Sequence, residues 1–109
     1  MRLNPIALFP FSAHAAIAWA HFTAGRYDEA TSSARKAMLK QPNFLPMLRI
    51  FAASSAMAGH LDEARAAIAR VRELTPSFRM SDVKFIAPYR RPEDLQRYAD
   101  ALRKAGLPE

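Results

Sequence analysis

Residues 24–30 are Ala24-Gly25-Arg26-Tyr27-Asp28-Glu29-Ala30, and residues 58–64 are Ala58-Gly59-His60-Leu61-Asp62-Glu63-Ala64. These two stretches lie 34 residues apart, and at the same spacing Pro42-Asn43-Phe44 matches Pro76-Ser77-Phe78. A period of this length is typical of stacked supersecondary units, each of which buries its apolar face against its neighbours. The repeat therefore predicts a fold built from two copies of one unit.

Each shared position has a physical role in a helix-turn-helix unit. Gly25 is expected to end the first helix in the left-handed conformation, and Asp28 to cap the free N–H groups of the second. Ala30 allows the two helices to approach closely, and Pro42 stops the second helix because proline has no N–H to donate. The second unit carries the counterparts Gly59, Asp62, Ala64 and Pro76.

These signals predict helices over about 11–24, 28–40, 45–58 and 62–74. Apolar residues recur at helical spacing in the last two, on the face of Leu48, Phe51 and Ala52 and on the face that includes Ile68 and Val71. The sequence thus predicts an all-α protein of antiparallel helical hairpins.

The 34-residue period, with a small residue, glycine, Asp-Glu-Ala and then proline in register, resembles the tetratricopeptide repeat over about residues 11–78. The resemblance implies a short right-handed solenoid and a single domain spanning 1–109, with units at 11–44 and 45–78. Residues 1–10 would be the tail of a preceding repeat, so the chain is expected to be a piece of a longer protein.

The C-terminal part is predicted to form a shortened capping hairpin over 79–109. Pro88 would end its first helix early, and Pro92 would open the last one, which carries the apolar stripe Leu95, Tyr98, Ala99 and Leu102. Gly106 would end that helix. The polar outer face that a terminal unit needs would come from Arg90, Arg91, Arg97, Arg103 and Lys104.

The segments 91–95 and 102–109 are similar to the end of tetratricopeptide arrays that follow class III adenylate or guanylate cyclase domains in bacteria. That resemblance implies a regulatory C-terminal segment of a larger signalling protein.

Candidate catalytic and metal-binding residues all have structural explanations. The chain has no cysteine, which excludes disulfides and thiolate chemistry. His14 and His21 are seven apart without further ligands at metal-binding spacing, and no phosphate loop or nucleophile elbow is present. We therefore predict a protein that is not an enzyme, with no cofactor and no metal site.

The favoured function is protein–protein interaction or scaffolding. In the resemblance, the first helix of each hairpin lines a concave groove that receives a peptide or a partner helix. Trp19 and Phe22 would be aromatic anchors, and Arg49 could hold a carboxylate. An alternative is that the two aromatic residues pack against a missing preceding repeat. Carried over position by position, the candidate binding residues are Trp19, Phe22, Thr23, Arg49, Ala53 and Met57.

A net charge of +6, from 16 Lys+Arg against 10 Asp+Glu, raises a second possibility. A basic surface could bind nucleic acid or another anionic surface. No nucleic-acid motif accompanies the charge, so this function is the alternative and not the first choice. Its candidate residues are Arg65, Arg70, Arg72, Arg90 and Arg91.

Assembly and location follow from the same features. A face left uncovered by a missing repeat, with Phe11, Ile17, Trp19 and Phe22, would favour a homodimer. No stretch approaches the roughly 20 apolar residues needed to span a bilayer. The first residues do not form a convincing signal peptide because two prolines break the apolar run. The chain is therefore expected to be cytoplasmic.

Overall fold

The computed structural model describes residues 11–86 and 91–109, and every regular element within them is helical. The α-helices are α1 (Phe11–Thr23), α2 (Tyr27–Lys40), α3 (Leu45–Met57), α4 (Leu61–Leu74), α5 (Val83–Ile86) and α6 (Pro92–Lys104), with a 3-10 turn at Met80–Asp82 before α5. The all-α prediction is confirmed, and the first four helices agree with the predicted ranges to within one residue at each end. The predicted stop at Pro88 and the predicted tail at 1–10 lie outside the described residues.

The 34-residue period is present in the backbone as well as in the sequence. Helix α3 begins and ends 34 residues after α1, and α4 does the same relative to α2. Gly25 and Gly59 have φ angles of 81° and 93°. The residue after each glycine donates a hydrogen bond to a carbonyl five residues earlier, Arg26 to His21 at 2.9 Å and His60 to Ser55 at 2.8 Å. The two turns are therefore the same turn, of the kind that closes a helix with a left-handed glycine.

Because Gly59 is left-handed, we predict that any other residue at this position lowers the free energy of unfolding. The space around a Cβ atom at Gly59 is open, so Gly59→Ala adds no clash, and only the left-handed backbone opposes it. We expect a loss of roughly 1–2 kcal/mol in the free energy of unfolding, measured by urea denaturation followed by circular dichroism. Gly59→Asn should lose less, because asparagine tolerates this conformation. Equal stability of Gly59→Ala and the native chain would contradict the turn.

The aspartates after each turn do not act as predicted. Residues 26 and 60 occupy the N-cap positions of α2 and α4, and neither helix has a side-chain cap hydrogen bond. Asp28 and Asp62 lie inside the first turn instead, where the carboxylate favours the positive end of the helix dipole without capping it. The predicted capping role was therefore wrong.

The core is built from small residues on the second helices and larger ones on α3. Ala30, Ala34 and Ala64 are fully buried, which lets neighbouring helices approach closely. Helix α3 packs against α1, α2 and α4, and Met47 through Ala56 are buried except for Arg49. No helix of the described residues is long and apolar enough to cross a bilayer.

Helix α6 does not simply cover the last hairpin. It packs against α3, and its Tyr98 also contacts Trp19 and Phe22 of α1 in the first unit. A cap restricted to the end of a stack would touch α3 and α4 alone. The helix lies across both units because its largest apolar side chain is buried between the aromatic rings of α1.

Candidate partner-binding groove

The groove is defined here as the face of α1 and α3 on which α6 lies. Trp19 is 8 % exposed and Phe22 is 0 % exposed, so neither belongs to an uncovered apolar patch as one hypothesis had it. The chain's own α6 covers them. Ile17 remains 41 % exposed on another side of α1, and the side chain of Phe11 lies outside the described part.

Three aromatic rings form the centre of the groove. The Tyr98 ring centroid lies 4.5 Å from that of Trp19 and 5.9 Å from that of Phe22, and the second contact is edge to face at 84°. Phe22 in turn meets Tyr27 at 5.3 Å, again edge to face. Such geometries place positive ring edges against negative faces and add to the hydrophobic gain of burial. Tyr98 is fully buried as a result.

Arg97 attaches α6 to the end of α1. Its guanidinium donates to the Thr23 carbonyl at 2.9 Å and more weakly to the Phe22 carbonyl at 3.5 Å, and it lies over the Phe22 ring at 5.8 Å. The last carbonyls of a helix lack partners within the helix, so a cation is well placed there. The sequence had placed Arg97 on the polar outer face of the cap; that prediction was wrong, because the side chain points into the groove.

Two further groups hold the same guanidinium. Arg97 donates to the Tyr27 hydroxyl at 3.3 Å and to Asp94 Oδ1 at 2.9 Å. The hydrogen bond with Tyr27 raises the pKa of Arg97, burial opposes the rise, and Asp94 raises it further. Asp94 is only 8 % exposed, and among the described residues this guanidinium is the cation nearest its carboxylate.

The α3 side of the groove is lined by small side chains. At the 34-residue spacing Ala53 corresponds to Trp19 and Ala56 to Phe22, and both alanines are buried. Their small side chains leave room for a helix on α3, and on α6 Ala101 and Leu102 are fully buried. Met57 is half-buried at the end of α3 and packs against the core. Thr23, at the matching position of α1, is also half-buried, and its hydroxyl donates to the Trp19 carbonyl.

Arg49 lines a different cavity from the other candidates. Its guanidinium lies over the Phe78 ring at 5.9 Å, beside a cavity of about 330 Å³. Within the described ranges no carboxylate forms an ion pair with Arg49, and its Nε is buried without a hydrogen-bond partner. The structure thus separates Arg49 from the aromatic centre. The cavity is lined by Leu45, Arg49, Val71, Thr75, Ser77, Phe78, Asp82 and Phe85.

The predicted basic surface is partly neutralised. Arg70 is held by Glu73 at 2.9 Å and by Asn43, and Arg91 pairs with Glu93 at 2.6 Å. The hydrogen bonds that Arg91 donates to the Glu93 carboxylate raise the pKa of Arg91. Arg65 and Arg72 are exposed, and Arg90 lies outside the described residues.

Comparison with protein-family models, with curated proteins and with solved structures finds no match to this chain. Within residues 11–86 and 91–109 no group of three or more histidine, aspartate or glutamate side chains is placed to hold a metal ion. The side chain of His14 lies outside the described part, and the half-buried His21 accepts a hydrogen bond from Arg26 at Nδ1, 3.1 Å away.

Trp19 and Phe22 were predicted site residues, but Tyr98 and Arg97, which contact them, were not among the predicted site residues. The predicted apolar stripe of α6 was Leu95, Tyr98, Ala99 and Leu102, whereas the buried face also includes Ala101 and Asp94. Leu95 and Ala99 are only half-buried. The signal available in the sequence was the spacing 94, 97, 98, 101 and 102, a helical stripe that begins with an opposite-charge pair.

Proposed function

We propose that this chain is a protein-interaction module of the tetratricopeptide type, without catalytic activity, that binds a partner peptide or helix in the groove of α1 and α3. In the larger setting implied by its C-terminal resemblance, it would be the regulatory part of a signalling protein. The observation that supports the proposal most directly is that this groove already accommodates a helix, with Tyr98 fully buried against Trp19 and Phe22.

Two properties of the groove suit it to recognition. It combines an aromatic centre, the kind of surface that contributes much of the energy in interfaces, with backbone carbonyls at the end of α1 that fix the orientation of a bound cation. The two repeated hairpins supply a rigid support, because α1 and α3 pack both on each other and on the second helices.

The experiment is a selection of displayed random peptides on the full chain, followed by mapping of their binding sites. Trp19 is the only tryptophan, so its indole N–H gives a single side-chain signal that reports on the groove. We expect selected peptides, with dissociation constants on the order of micromolar, to shift this signal and the amides of α1 and α3.

A matched control is the outer variant Leu39→Lys. Leu39 is 82 % exposed on α2, and the selected peptides should bind this variant as they bind the native chain. Peptides that shift only amides of α2 and α4, or a selection that yields no binder, would contradict the proposed groove.

A further inference from the structure

We infer that α6 is an intramolecular ligand of the groove, and that the external partner is an amphipathic helix that replaces it, with an arginine followed directly by an aromatic anchor. The inference rests on the proposed function and adds to it the chemistry of the partner and the means by which access to the groove is controlled.

The buried face of α6 has the form of a helical ligand. Asp94, Arg97, Tyr98, Ala101 and Leu102 follow one another at the spacing i, i+3, i+4, i+7 and i+8. Four of these five are buried, and the half-buried Arg97 makes its contacts with α1 and Tyr27. This pattern is the one by which an amphipathic helix binds an apolar groove.

The groove determines which side chains a replacement must carry. The slot between Trp19 and Phe22 requires an aromatic ring, because Tyr98 fills it at centroid distances of 4.5 and 5.9 Å. The carbonyls of Phe22 and Thr23 are acceptors at the negative end of the α1 dipole, so the neighbouring group must be a cation. An acidic helix would be repelled there.

Apart from the packing of its buried face, few polar bonds join α6 to the rest of the described residues. On its outer side Arg103 pairs with Asp100 at 3.0 Å and with Glu109 at 2.7 Å, and Gln96 donates to Asp100, so these bonds stay within residues 91–109. Toward the short helix α5, a cavity of about 360 Å³ separates α6 residues such as Leu95 from Val83. Among the described residues, a backbone bond from Met80 N–H to the Pro108 carbonyl at 2.8 Å and the burial of Leu107 connect this side to the 3-10 turn.

A tethered helix competes with a free one at high effective concentration. A short tether presents α6 to the groove at about the millimolar level, so the apparent association constant of an external helix is its intrinsic value multiplied by the small fraction of open molecules. A substitution in α6 that weakens its attachment should therefore tighten the binding of an external helix, although the residues of α1 and α3 are unchanged.

The experiment titrates an unlabelled synthetic peptide of residues 91–109 into the ¹⁵N-labelled full chain. We expect the amides of α6 to move toward the positions of a released, unstructured segment while those of α3 and α4 stay structured. With Arg97→Ala in the chain, the peptide should bind roughly 30- to 100-fold more tightly, because the lost bonds to a charged group held α6 closed. Arg103→Ala, which removes the same charge from the outer face, should bind as the native chain does.

Binding of the peptide at α1 and α3 with the α6 amides unchanged would overturn the inference. Equal affinity for the Arg97→Ala and Arg103→Ala chains would overturn it as well. A peptide carrying Tyr98→Ala must fail to bind, or the anchor is wrongly assigned. If Arg97→Ala unfolds the chain, the inference is tested by the native chain alone, in which the added peptide must displace α6 and move its amide signals. Should library-selected peptides bind the groove while the 91–109 peptide does not, the inference fails and the proposed function stands.

Discussion

Replacing Tyr98 by alanine is expected to lower the free energy of unfolding by about 3–5 kcal/mol, the cost of deleting a large buried aromatic side chain. Tyr98 is fully buried and contacts Trp19 and Phe22, so its loss leaves a cavity between α6 and α1. A domain of this size has a total stability of only about 5–15 kcal/mol, which makes the change easily visible in urea denaturation.

The fluorescence of Trp19 provides a second measurement. Its 8 % exposure in the native chain should rise when the Tyr98 ring is removed, and its emission should shift to longer wavelength in Tyr98→Ala. Tyr98→Phe is the matched control, because it keeps the ring in the slot and should retain most of the stability. If Tyr98→Ala were as stable as the native chain, with unchanged emission, α6 would not lie in the groove.

Replacing Arg97 by alanine is expected to cost about 2–3 kcal/mol, less than a fully buried ion pair because the arginine side chain is 30 % exposed. The variant loses the hydrogen bonds to Thr23 and Tyr27. Within residues 11–86 and 91–109, the cation left nearest the Asp94 carboxylate is then Arg91, at 3.9 Å. A charge taken out of water without a close partner is costly, so the loss should exceed that of the bonds to neutral groups alone.

The double variant Arg97→Ala with Asp94→Ala separates these contributions. Removing the carboxylate as well should recover part of the stability, because no charge is then left without its partner. Arg103→Ala serves as the control, since Arg103 pairs with Asp100 and Glu109 on the exposed side of the same helix and its loss should leave stability nearly unchanged. Equal effects of Arg97→Ala and Arg103→Ala in denaturation would contradict the inward position of Arg97.

Much of the fold could be predicted from the sequence because the residues that begin and end each helix act on their immediate neighbours. A left-handed glycine ends a helix whatever its neighbours are, and Gly25, Gly59 and Gly106 all do so, with φ angles of 81°, 93° and 106°. Pro92 opens α6 in the same predictable way. The capping by Asp28 was mispredicted because the N-cap position is Arg26, two residues earlier, and a side chain inside the first turn cannot reach the same N–H groups.

The candidate site was only partly predictable, since amphipathic periodicity indicates that a helix has an apolar face and not which surface receives it. The position of Trp19 and Phe22 in the repeat predicts that they are anchors for a partner, and that role stays a prediction. Their contact with Tyr98 joins residues more than 70 positions apart along the chain. Arg97 appeared to be an ordinary surface arginine until its acceptors at the end of α1 were known.

Local sequence alone was thus sufficient for the number and limits of the first four helices, the identical turns at Gly25 and Gly59, and the start and end of α6. Each depends on the conformational preferences of a few neighbouring residues. The position of α6 across both hairpins was decided only by tertiary packing, because burying Tyr98 between two aromatic rings and satisfying the carbonyls of Phe22 and Thr23 require groups that come together only when the chain has folded.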